Sequence, residues 1–189
     1  MSEGVVGREC RVHHDVMAGV EHEWGSEGHL HAVVSLRDDS GRTDEKCAVL
    51  PLAPGRVGSG YLMFNWPNAQ VLFVGGAEGL WAVSTDHRRA VCIAQWEDKE
   101  VAAVGPWFVE ASSGRTLFVA TVDRVIVVGR DPAVARTWWA RSVNASTQLS
   151  APPRPTLDGL DVTLCDGRTG EETTLQLNED KFDENASTS

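Results

Sequence analysis

Val71-Leu72-Phe73-Val74 and Thr116-Leu117-Phe118-Val119 stand 45 residues apart, and the match continues well past those four positions. Leu80-Trp81-Ala82-Val83, Asp86 and the run from Ala90 to Trp96 have counterparts in Val125-Ile126-Val127-Val128, Asp131 and the run from Ala135 to Trp139. Fainter echoes lie on both sides. His29 to Val34 leads through Asp38-Asp39-Ser40-Gly41 to Cys47-Ala48-Val49, and Leu160 to Leu164 leads through Asp166 and Gly170 to Thr173-Thr174-Leu175. Self-similarity at a fixed period marks a repeat architecture, and four copies fit a chain of 189 residues.

Within each copy the apolar residues alternate with period two, or run for four to seven positions between Gly, Pro, Asp, Asn and Ser clusters, which is the pattern of strands. Strands are expected near 29–37, 46–53, 60–66, 70–75, 80–84, 90–96, 101–111, 116–121, 124–129, 137–142, 161–166 and 173–177. A short helix after Pro132 is the alternative for 133–145. The expected fold class is all-β, an antiparallel meander with repeats of about 45 residues, forming one domain over 1–177. The tail 178–189 has one large apolar residue, Phe182, and is expected to be a flexible acidic end. Ser150 to Pro155, rich in proline, reads as a stiff extended connector.

An apolar strand, a turn, a second apolar strand, an Asp-containing turn ending Thr-Gly and a strand near a Trp together resemble a β-propeller blade of the quinoprotein or WD-like kind. The resemblance covers residues 29 to 177, and Gly167-Arg168-Thr169-Gly170 fits its turn best, whereas no Trp-Asp dipeptide is present. It implies a propeller-like scaffold whose rims contact other proteins. A β-sandwich or open barrel is the alternative architecture for the same strands.

The chain carries 17 Lys and Arg against 27 Asp and Glu, a net charge of −10. Residues 1–52 hold 5 basic and 10 acidic side chains and 155–189 hold 2 and 9, but 111–154 hold 6 and 2. Global acidity argues against sequence-independent nucleic-acid binding and favours a basic protein partner, which the chain would neutralise or assemble with. A second copy of the chain is a further candidate partner. No apolar run approaches the roughly 20 residues that span a bilayer, and the first ten residues carry charges where a secretory leader would be apolar. A cytoplasmic protein is therefore expected. Cys47, Cys92 and Cys165 lie in apolar alternating runs and read as reduced core residues.

Few constellations could carry chemistry. Five of six histidines, His13, His14, His22, His29 and His31, fall within nineteen residues. His29 and His31 would share a face of a strand, and with His22 could hold a divalent metal. That pair resembles the His-x-His of cupins, but the glutamate that should follow is absent. Solvated histidines on a polar strand are the preferred reading, with no cofactor, and a metal-dependent enzyme built on His13 to His31 is the alternative. Gly55 to Tyr61 has phosphate-loop glycine spacing, yet Tyr61 stands where the lysine belongs. No nucleophile elbow or Cys-His neighbour appears, so no catalytic residue is assigned and a non-enzymatic binding module is expected. Its contact surface is placed at Arg136, Trp138, Trp139 and Arg141. Adjacent residues on a regular strand leave opposite faces, so one tryptophan should point outward between arginines, the composition of binding hot spots.

Overall fold

Period-two alternation covers one face of a strand, and an unbroken apolar run covers both. The computed structural model of the chain follows those patterns with strands and turns, and no α-helix occurs among the described residues. These are residues 8–13, 16–24, 26, 29–38, 40, 43–53, 62–66, 69–86, 88–95, 106–129, 132–142 and 145–178. The expected loop at Gly55 to Tyr61 and the tail from 179 onward lie outside them.

Four antiparallel sheets form. The first holds β1 (Arg8–His13), β2 (Val16–Trp24), β3 (Leu30–Asp38) and β4 (Thr43–Leu50); the second holds β5 (Leu62–Trp66), β6 (Val71–Gly75), β7 (Gly79–Ser84) and β8 (Arg89–Gln95). The third holds β9 (Trp107–Glu110), β10 (Leu117–Ala120), β11 (Arg124–Val128) and β12 (Arg136–Ala140). In the last, β13 (Thr147–Leu149) and β14 (Arg154–Pro155) share one edge of β15 (Gly159–Asp166), and β16 (Glu172–Asn178) takes the other. The chain divides into two compact units, Met1–Ala103 with the first two sheets and Val104–Ser189 with the last two.

All twelve expected strand positions are occupied, and β1, β2, β13 and β14 are additional. Pro132–Val134 forms a single 3-10 turn, after which β12 takes the place of the alternative helix. The proline-rich connector is extended, as its composition requires, and Arg154–Pro155 pairs with Asp161 and Leu160. Asn178, counted with the tail in sequence, closes β16 opposite Gly159.

The 45-residue period is a repeat of register as well as of sequence. Leu62 pairs with Gly75 and Val74 with Trp81 in the second sheet; Trp107 pairs with Ala120 and Val119 with Ile126 in the third. On the fourth strands the repeat includes a bulge. Leu80 opposes Ala94 but Trp81 opposes Cys92, leaving Ile93 as the extra residue, and Val125 opposes Trp139 but Ile126 opposes Thr137, leaving Trp138. The first sheet does the same with Val34 opposite Ala48 and Ser35 opposite Lys46, so Cys47 is extra.

Each unit has its own core between its two sheets. In the first unit Ala18, Val20, Ala32, Val34, Cys47, Leu50, Leu72, Val74 and Val83 form the cluster; in the second, Phe118, Ala120, Val125, Val127, Leu149, Leu160, Val162, Leu164 and Leu177 do. Strands β6 and β10 are buried along their whole length on both faces. The first and last sheets differ, since each has one apolar and one polar face. On the outer face of the first sheet, Lys46 Nζ meets Glu23 at 2.7 Å and Arg37 meets Glu21 at 3.6 Å. Lys46 lies opposite Ser35 and Glu23 opposite His31, so their bridge crosses the β3 row at Val33. Val33 is only 4% exposed although it lies outside that core cluster. The exposed charges themselves contribute at most about 1 kcal/mol per pair.

The link from the first sheet to the second is clamped to the β6–β7 turn: Ala77 N donates to Ala53 O at 3.0 Å and Ala53 N donates to Glu78 Oε2 at 2.8 Å. A Cβ on Gly76 would collide with the Ala53 carbonyl oxygen and lie 2.7 Å from Leu52 Cγ. Gly76→Ala is expected to lower stability in urea melts by about 1–3 kcal/mol, the cost of overpacking. Gly129→Ala, where a Cβ meets nothing within 4 Å, should stay within about 0.5 kcal/mol of the parent. Equal shifts would show that the link does not rest on the turn.

Candidate functional site

The sequence-marked residues Arg136, Trp138, Trp139 and Arg141 lie along and just beyond β12, an edge strand of the third sheet. Both tryptophans are half-buried and both pack against the core of their unit. Trp138 also stacks on Phe118, with ring centroids 5.4 Å apart and planes at 25°. The expectation that one tryptophan points outward is not met, and the bulge is the reason. Where two residues oppose one, alternation is suspended for a step and the local twist re-aims the side chains, so neighbours share a face. The first sheet repeats the effect, since Cys47 and Ala48 flank its bulge and both pack into one core. Arg136 is half-buried, and Thr137, Ala140 and Arg141 are exposed.

A turn ahead of β11 fixes where this rim begins and ends. Thr121, 1% exposed, donates its hydroxyl to Asp123 Oδ1 at 2.6 Å, and Arg124 donates to both Asp123 oxygens, at 3.2 Å from Nε and 2.9 Å from Nη2. The turn backbone then accepts from the segment beyond β12: Arg141 N donates to Asp123 O at 2.7 Å and Leu149 N to Val122 O at 2.9 Å. Burial opposes the charge on Asp123, but the hydrogen bonds from Arg124 and Thr121 outweigh it and hold the carboxyl below the ordinary aspartate range.

The structure describes two of the histidine candidates with their side chains, His29 and His31. His29 is exposed ahead of β3, His31 is half-buried on β3 opposite Glu23, and His22 occupies the β2 position that pairs with Ala32. The side chains of His13, His14 and His22 lie outside the described residues. Among the described residues no group of three His, Cys, Asp or Glu side chains is close enough to hold a metal ion. Burial pushes the Cys47 and Cys92 thiols up from their ordinary values, partly offset by Arg88 for Cys47 and by a hydrogen bond to Ala94 for Cys92. The residue the sequence reading passed over is Trp24, 73% exposed at the end of β2 beside Glu23. Alternation of Val16, Ala18 and Val20 carries the strand signal that leads to it.

Trp138→Ala and Trp139→Ala are each expected to destabilise the second unit, by about 2–4 kcal/mol for a large aromatic that is only partly buried, as read by thermal and urea melts. Retention of full stability by either variant would place that ring outside the core. Asp123 has its acidity increased by folding, so the stability it confers is present above the carboxylate range and is lost as pH falls through it. Asp123→Asn should therefore lower stability at neutral pH and flatten the acid limb of a stability–pH curve. An unchanged acid limb would remove the turn from the account.

No protein-family model matches this sequence, and no curated protein matches it. Among solved structures the chain is similar to one described as the AfRom2 CNH domain, at 10% identity over 91% of this chain and 54% of that one, with a TM-score of 0.40. The chain spans about half the length of that protein. A likeness at that level decides neither fold nor function, and the all-β assignment rests on the strand registers themselves.

Proposed function

We propose that this chain is a non-enzymatic protein-binding module whose contact surface is the β12 rim of Arg136, Trp138, Trp139 and Arg141. The observation that supports it is two adjacent tryptophans, half-buried on an edge strand, with an arginine before and after them. Each keeps an exposed portion of a large apolar ring on a strand flanked in sequence by arginines, and tryptophan and arginine are enriched among the residues that carry most binding energy at protein interfaces. Arg141, exposed just past the strand, presents a fork-shaped donor that matches a carboxylate on a partner. Elsewhere the chain is acidic, and its net charge of −10 favours a partner with basic surface around the contact.

The tryptophans also serve the core, so the arginines give the cleaner test. A partner recovered by co-purification from the native host would be titrated calorimetrically against the parent, Arg136→Ala, Arg141→Ala and the double variant. The folded double variant should weaken association by about 2 kcal/mol or more and reduce its salt dependence. Unchanged affinity in a folded double variant would overturn the β12 assignment and move the contact to the surface around Glu21, Glu23 and Trp24.

A further inference from the structure

The third strands β3, β7 and β11 each pair with a fourth strand, and each of those fourth strands carries a bulge. Strand β16, which follows β15 as β11 follows β10, pairs along its length with β15 only, and among the described residues no strand lies on its other side. Its seven register pairs run without a shift. It contains no proline and no lysine, the devices that blunt a natural edge.

The backbone groups on that edge can be identified. Ser150 N donates to Thr163 O at 3.1 Å, on the β13–β14 side of β15. In an antiparallel ladder the N–H and C=O of one residue point the same way, so the Thr163–Thr174 pair is not hydrogen-bonded and Thr174 turns both groups to the open edge. The same parity turns out Glu172 and Gln176, and the bond from Asp166 N to Glu171 O at 2.9 Å agrees with it. The side chains of Glu172, Thr174 and Gln176 are exposed.

We infer that β16 accepts an added strand from another protein, an extended segment in which lysine or arginine alternates with apolar or β-branched residues. Charge selects that occupant. Residues 155–189 hold 9 acidic and 2 basic side chains, with Glu171 and Glu172 at one end of β16 and Glu179 and Asp180 just past the other. A second copy would bring an equally acidic segment to this edge, and charges of one sign repel. A basic strand instead gains main-chain bonds from Glu172, Thr174 and Gln176 together with the carboxylates of Glu171 and Glu172 at the start of the strand. This surface is distinct from the β12 rim and does not depend on it.

The test uses a fluorescent peptide of about seven residues alternating lysine with valine, a typical strand length, and a glutamate–valine peptide for comparison, both titrated onto the whole chain. The lysine peptide should bind about tenfold or more tightly than the glutamate peptide, a difference of at least about 1.4 kcal/mol. Its binding should weaken with salt and protect the Thr174 and Gln176 amides from hydrogen exchange. Thr174→Pro removes an outward N–H that β15 does not use, a position where strands tolerate proline; it should abolish binding, and Thr174→Val should not. Equal binding of both peptides, binding unaffected by Thr174→Pro, or Thr174 and Gln176 amides already protected in the chain alone would each overturn the proposal. So would a dimer lost on Thr174→Pro, which would assign the edge to a second copy. If Thr174→Pro does not fold, the exchange protection on the parent chain decides. None of these readings involves the β12 partner, so this proposal and the β12 assignment fail separately.

Discussion

One extra residue on the fourth strand of three successive sheets governs how this chain packs. Cys47, Ile93 and Trp138 are each inserted into the ladder with the third strand at equivalent positions. A bulge bends its strand and raises the local twist, which turns two neighbouring side chains toward one core where a regular strand would offer one. In the first sheet those neighbours are Cys47 and Ala48; in the third they are Trp138 and Trp139. The volume delivered at one site therefore ranges from a thiol and a methyl to two indoles. Facing positions compensate, since interiors are filled to near crystal density.

That range explains why the bulge was not legible in the residues. Strand existence was, because apolar alternation bounded by Gly, Pro and Asp turns is a local signal, and the 45-residue echo located β6, β7, β10 and β11 to within a residue at either end, whereas β9, expected over 101–111, is Trp107–Glu110 among the described residues. No side-chain type marks the inserted position, so strict alternation was extended through Trp138-Trp139 and sent one ring the wrong way. Strand β2 was hidden differently. Its outward residues Glu21 and Glu23, with His22 between them, draw the eye to metal chemistry, yet Glu23 bonds Lys46 and Glu21 meets Arg37. Short strands β13 and β14 fall below the length at which alternation is visible, and a proline pair separates them.

Charge and sheet position are also related. Strands β6 and β10 bury both faces, and in each unit acidic residues collect on the other sheet, on the face turned away from that unit's core. The basic stretch 111–154 falls largely on the third sheet and the segment that follows it, where Arg124 is committed to Asp123 and Arg136 and Arg141 border the tryptophans. A chain of strong net negative charge thus keeps a local positive edge, so attraction to a partner would depend on which edge it approaches.

The pairing pattern has a consequence for how the chain reaches this state. In the first three sheets every strand pairs only with its neighbours in sequence, so each meander assembles by closing short hairpins, whose entropic cost grows only slowly with loop length. Folding speed among small domains falls as contacts become more distant in sequence. An all-β chain wired this locally should acquire its hairpins early and spend its slow step docking one finished meander on the next.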